Sequence, residues 1–196
     1  SNAPNGKSLY DVINFTVSPM GSRLLQRWLA MPLLDLKQIE KRQGVVNTYY
    51  RAIDLLENTR EHLAEINDLE RLAVKLSTGK ILPKELLQLK EGIVLSNEIK
   101  DLGTAAEGVL KDLCDTLWTG LDFIATITDR LKEEPSNNFN KGEVMRQGFS
   151  ADLDDLRELL YHGKDKLLDI QRRERQATGI ANLKIAFNNV FGYYLE

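Results

Sequence analysis

The chain has 196 residues, 42% of them hydrophobic and 28% charged, which is enough to bury one sizeable core or to build a long multi-helix body with a smaller appendage. A formal net charge of -3 excludes global attraction to phosphate, so any nucleic-acid contact has to be local. One Cys excludes an intrachain disulfide, and one Cys with two His cannot complete a four-ligand zinc site unless carboxylates or a partner chain contribute. Abundant Leu, Glu, Lys and Arg with only five prolines point to a mainly α protein with solvated outer faces. No apolar run approaches the ~20 residues that cross a bilayer, and no secretory signal is present, so the expected compartment is the reducing cytosol.

In chain order, Ser1, Asn2 and Ala3 read as the remnant of a cleaved expression tag. The Asn14, Phe15, Thr16 sequon is an accident of composition in a cytosolic protein. Thr16 and Ser18 can cap a helix with Pro19 in its first turn and Leu24, Leu25, Trp28 and Leu29 on its apolar face, stopped by Pro32. Asp35 caps the next, where Ile39, Val46 and Ile53, and beside them Tyr49, Leu56 and Leu63, recur at seven-residue spacings over one long helix or two nearly continuous ones. Residues 20–51 hold six Lys/Arg against two acids and residues 52–70 six acids against one Arg; both runs read as solvated faces.

Asp68 caps a short helix with Leu69, Leu72 and Leu76 that Gly79 ends, and Pro83 opens another through Leu86, Leu89 and Ile93 to about Gly103. Leu110, Leu113, Leu117, Leu121, Ile124, Ile127 and Leu131 then form the most regular stripe in the chain, which predicts one continuous helical seam. Between Pro135 and Ser150 the Asn, Gly and Ser content predicts a loop or a small β element near 136–150. The last helix starts after Ser150 with Asp152, Asp154 and Asp155, ends with Arg172, Arg173 and Arg175 before Gly179, and carries a seam of Leu153, Leu156, Leu160, Leu167 and Ile170. From Leu183 the period changes to two, so a strand begins. Glu196 falls inside a β-rich run, and the natural chain is expected to continue past it.

The candidates for chemistry are few. Gly6, Lys7 and Ser8 match the tail of a phosphate-binding loop, but position 1, where its first Gly belongs, is Ser. Glu158 and His162 share a helical face, yet a di-iron bundle needs Glu-x-x-His pairs that the chain lacks. His62 and His162 are read as ordinary exposed or packed histidines and Cys114 as a small buried hydrophobe. Arg172, Arg173, Arg175 and Lys184 form a basic cluster near the C-terminus: dipole complementation and solvation explain it, and contact with a DNA backbone is the functional alternative. Asn188, Asn189, Gly192, Tyr193 and Tyr194 invite a base-stacking role, although Tyr pairs in strands usually pack.

Several runs go further. FTVSPMGSRLLQRWLAMPLLDLKQIEKRQGVV, residues 15–46, resembles the opening of the core domain of MutS-type mismatch-repair proteins, and Asp68 to Leu72 match that family's DLER-type segment. GFSADLDDL, residues 148–156, resembles the start of its long lever helix, and RERQATGIANLKIAFNNVFGYYLE its passage from lever to clamp. Residues 100–140 match in helical character alone. The resemblance implies an elongated multi-helix core and lever over residues 4–180 and the start of a β-containing clamp over 181–196. It implies a full-length bacterial protein that binds mismatched double-stranded DNA with a second MutS-like subunit, engages downstream repair proteins and turns over ATP with Mg. The parts that do so lie elsewhere: no Phe here is followed two positions on by Glu, as in the family's mismatch-inserting motif, and there is no P-loop. This segment is expected to catalyse nothing and to hold no cofactor itself, its work being mechanical transmission along the lever. In the family a helix returning from the clamp covers part of the lever's seam, so that seam is expected to be partly bare here, and its distal part, from about Gly163, more mobile. A stand-alone coiled-coil adaptor is the alternative.

Overall fold

A computed structural model describes residues 6–141 and 143–196; the expected tag remnant, Ser1 to Ala3, lies outside them. Most helices begin where a side chain can take over the first free amides. Ser8 caps the short α1 (Leu9–Ile13), with Asp11 reaching back to the Ser8 amide, and Ser18 caps α2 (Pro19–Ala30), whose first residue is Pro19. Asp35 caps α3 (Leu36–Arg51), Asp68 caps α5 (Leu69–Ser77) and Ser150 caps α9 (Ala151–Thr178). Between α3 and α4 (Ile53–Glu65) the chain leaves helical geometry only at Ala52, so the seven-residue spacing runs through two nearly continuous helices.

The helix α6 (Pro83–Thr104) is the hub, packing against α4, α5, α7 (Val109–Asp115) and α8 (Leu121–Arg130). Leu89 and Ile93 meet Leu72 from α5, and Leu69, Ile81, Phe123 and Ile124 close around them. Close approach depends on two α6 glycines. A Cβ on Gly92 would lie 2.4 Å from a Leu69 methyl and one on Gly103 2.1 Å from the Cys114 Sγ, so the Leu110 and Cys114 face of α7 seats directly on backbone.

The regular stripe from Leu110 to Leu131 is not one helix, and this corrects the sequence reading. It breaks between Asp115 and Leu121, where Gly120 takes φ +58, a left-handed conformation. Side chains of α6 supply the hydrogen bonds that a continuous helix would have made: Asn97 Nδ2 donates to the Thr119 carbonyl at 2.8 Å and Lys100 Nζ to the Leu117 carbonyl at 2.8 Å. Leu110 and Ile127 are buried, but Leu113 and Leu121 are exposed, so the stripe serves two short helices that meet α6 separately.

The β element expected near 136–150 is also narrower than a hairpin. Residues 143–146 run back along the end of α8 and the chain after it: Leu131 bridges Met145 antiparallel, Lys132 N donates to the Val144 carbonyl at 3.0 Å and Arg146 N to the Arg130 carbonyl at 2.8 Å. Its partner therefore lies mostly before residue 136, and a short 3₁₀ turn (Phe139–Lys141) occupies the middle. At the C-terminus β1 (Ile185–Asn188) pairs antiparallel with β2 (Gly192–Leu195), Ile185 opposite Leu195 and Asn188 opposite Gly192. The Phe187 and Tyr193 rings pack across the strands at 5.0 Å. Asn188 Oδ1 accepts from the Val190 amide and Gly192 takes φ +77, which together close the turn.

Candidate functional site

No helix among the described residues is long and apolar enough to cross a membrane, and no three His, Cys, Asp or Glu side chains among them converge as a metal site would require. What stands out instead is α9. Its 28 residues span about 42 Å at 1.5 Å per residue, and none of them is buried. Acids at its start and arginines at its end complement the helix dipole, and Gly179 at φ +72 closes it. Of its seam, Leu153 and Leu167 are half-buried, while Leu156 is 63% exposed, Leu160 74% and Ile170 39%. Part of the seam is bare, as expected, but its most exposed positions, Leu156 and Leu160, lie before Gly163, in the half expected to stay docked.

Each end is tied down by polar side chains. At the N-terminal end, Arg157 donates to the Met145 carbonyl at 2.8 Å and the Arg146 carbonyl at 3.4 Å while pairing with Asp154 at 3.1 Å. Arg146 in turn donates from Nε to the Leu131 carbonyl at 2.9 Å and pairs with Glu133. The Arg130 guanidinium lies 5.9 Å from the Phe149 ring, and the Gly148 amide donates to Asp154 at 2.6 Å. Three arginines thus couple the end of α8 to the first turns of α9. At the far end, Arg175 Nε donates to the Leu183 carbonyl at 2.7 Å and Gln171 Oε1 accepts from the Ile185 amide at 3.3 Å, which fixes the hairpin to the helix. Leu183 is buried between them, and Lys184 and Glu196 exchange backbone hydrogen bonds beyond it.

The four basic candidates divide accordingly. Arg175 is engaged by the Leu183 carbonyl. Arg172 pairs with Asp169 at 3.2 Å, one turn back, and Arg173 with Glu174 at 3.3 Å, with both guanidiniums largely in solvent; Lys184 is exposed. Tyr193 is engaged with Phe187. Ser8 is a helix cap whose hydroxyl faces Asp11, and the Gly6, Lys7, Ser8 run opens a helix of five residues. His62 Nδ1 lies 2.7 Å from the Asn58 carbonyl and Nε2 3.2 Å from Glu98. Glu158 and His162 line one pocket, but Glu158 pairs with Lys166 at 3.2 Å and His162 faces Asp165 at 3.9 Å, and no cluster of three ligating side chains forms there among the described residues. Cys114 is buried and burial pushes its thiol up, as for a small core hydrophobe.

Sequence reasoning missed the arginine couplings. Arg157 did leave a signal, being a cation in the otherwise acidic first three turns of a helix, where the dipole disfavours it. Arg23 on α2 left less. It forks onto Asp68 at 2.7 Å from both nitrogens and also reaches Glu70, which pins the N-terminal helices to the DLER-type segment. The Arg23 guanidinium holds the Asp68 carboxyl below its usual range, with the Arg71 amide adding to the effect.

Comparison with known proteins agrees with this architecture. The family MutS domain III matches residues 1–189. The chain is 44% identical over 195 residues to the DNA mismatch repair protein MutS of Parabacteroides distasonis, covering 97% of this chain and 22% of that protein. It is 40% identical over 191 residues to the MutS of Thermosipho melanesiensis, with 97% and 23% covered, and 42% identical over 197 residues to that of Christiangramia forsetii, with 100% and 23% covered. The chain spans less than a quarter of the length of these relatives.

Proposed function

The chain belongs to the MutS domain III family, and on that premise we propose that it is the core and lever of a protein that recognises mismatched DNA, with α9 carrying movement between an ATPase and a DNA-holding clamp that lie outside it. The observation behind this reading is the 28-residue helix with no buried residue, tied by Arg157 at one end and by Gln171 and Arg175 at the other. Such an element is useless as core but suited to transmission. Helical hydrogen bonding keeps its length fixed, while the side-chain ties force what is attached at one end to follow the other. ATP, Mg, a second subunit and the DNA itself belong to the full-length protein, and the exposed Leu156 and Leu160 face is where a further lever helix would seat.

The test is a helix break far from either tie. In the full-length protein, Lys164→Pro removes a backbone hydrogen bond and kinks α9, whereas Lys164→Ala leaves it straight. The proline variant is expected to bind ATP and hydrolyse it at the basal rate but to lose stimulation by mismatched duplex, with the alanine variant unchanged. Full stimulation in a folded proline variant contradicts the proposal.

A further inference from the structure

The α2, α3 and α7 helices enclose a groove that the lever reading does not use. Gly44 lets α3 approach α7 so closely that a Cβ there would lie 3.2 Å from a Val109 methyl. One turn along α7, at Leu113, the helices part and leave a trough of about 450 Å³ walled by Trp28, Val45, Val46 and Leu113. These walls are open to solvent: Trp28 is 40% exposed, Val46 66% and Leu113 44%. Lys41 and Arg42 stand over the trough. The Arg42 guanidinium lies 3.6 Å from the centre of the Trp28 ring, and neither cation has a carboxylate within ion-pair distance among the described residues. The surrounding stretch 20–51 carries six cations and two acids in a chain of net charge -3.

We propose that this groove docks an acidic amphipathic helical segment of a partner protein, its bulky apolar side chain entering between Trp28, Val46 and Leu113 and its carboxylates pairing with Arg42 and Lys41. Charge complementarity selects this occupant. An apolar trough alone accepts any greasy side chain, but two unpaired cations at its mouth reward carboxylates and repel a basic segment. Arg42 suits the task because stacking on the indole fixes its plane and leaves the N–H edge open for bidentate contact.

The probe is a capped helical dodecapeptide with leucines and a phenylalanine on one face and flanking glutamates, compared with twins carrying glutamine or lysine in place of glutamate. Binding is read by calorimetry for this chain and for the full-length protein, and for this chain also by Trp28 fluorescence in a Trp118→Phe background. The expected result is saturable one-to-one binding of the acidic peptide to both, several-fold weaker binding of the glutamine twin and none of the lysine twin. Val46→Glu, at an exposed position that leaves the fold intact, weakens binding at least tenfold, and Arg42→Gln abolishes the preference for glutamate over glutamine. Equal binding of the acidic and basic twins overturns the proposal, as does indifference to Val46→Glu. So does a dimer that Val46→Glu dissolves, which assigns the groove to a second copy, or a full-length protein that does not bind, which assigns it to another part of the same chain.

Discussion

Asp68 carries two loads at once. Its carboxylate accepts from the Arg71 amide as the cap of α5 and takes the fork of Arg23 from α2. Because its folded pKa is depressed, chiefly by Arg23, the stability it contributes is complete above the ordinary carboxylate range and is lost as pH falls through the folded value. Glu85, held down by Lys75 and the Leu82 amide, adds in the same direction. Asp68→Asn keeps a competent cap and removes the charge, so it should be less stable than the parent at neutral pH and converge with it on acidification. Asp68→Ala should cost roughly 1 kcal/mol more through the lost cap. Urea melts across the acid range check this; a deficit independent of pH for Asp68→Asn would mean that the charge is idle.

The basic end of α9 separates residue by residue as well. Arg172 and Arg173 are open to solvent, whereas Arg175 is engaged by the Leu183 carbonyl. If the first two meet DNA phosphates in the full-length protein, replacing both with Ala weakens binding to matched and mismatched duplexes alike and lowers the salt-dependence slope by about 2. Arg175→Ala should instead loosen the hairpin, seen as faster amide exchange at Leu183 and Ile185. Unchanged DNA affinity in the double variant would leave the pair as solvated ends of a dipole.

At the scale of elements, helix starts were legible because their causes are local. Ser18, Asp35, Asp68 and Ser150 each bond an amide three residues on, and Pro19 and Pro83 open helices in which their missing N–H costs nothing. The break between α7 and α8 was illegible because the groups that satisfy it, Asn97 and Lys100, lie about twenty residues earlier on another helix. The same holds for the ties of α9. Arg157 stands out in the sequence only as a cation among acids, and the fold alone shows that residues 145 and 146 present their carbonyls to it. Periodicity and resemblance placed a long helix after Ser150 and a β segment from Leu183; neither supplied these bonds.

Glycine inside helices tests how packing divides the molecule. Gly103 on the hub touches Cys114, so Gly103→Ala must displace a buried side chain and should destabilise by roughly 1–3 kcal/mol. Gly163 in the middle of α9 has nothing within 4 Å of an added Cβ, so the same change there removes only the entropic cost of glycine. Gly163→Ala should stabilise α9 locally by about 1 kcal/mol, read as roughly fivefold slower amide exchange between Glu158 and Ile170. Global urea melts measure the first. A destabilising Gly163→Ala would place an unseen partner against the helix.

The molecule as a whole exposes 14558 Å², where a compact monomer of this mass exposes about 9,400 Å². The excess fits a packed helical body around α6 that extends through α9 to a two-stranded tip, with apolar faces left open along the way. That shape makes sense for a segment covering less than a quarter of its relatives' length. The central claim is that α9 works as a strut of fixed length. Spin labels at Asp155→Cys and Gln176→Cys in the full-length protein, with Cys114 protected by burial and any reactive cysteine outside this segment replaced, measure it by pulsed dipolar spectroscopy. The backbone positions should stay about 32 Å apart, with a narrow distribution, in the free, nucleotide-bound and mismatch-bound states alike. A distribution that shortens or broadens when nucleotide or DNA binds would show that the helix bends or melts in use, and would contradict transmission by a rigid lever.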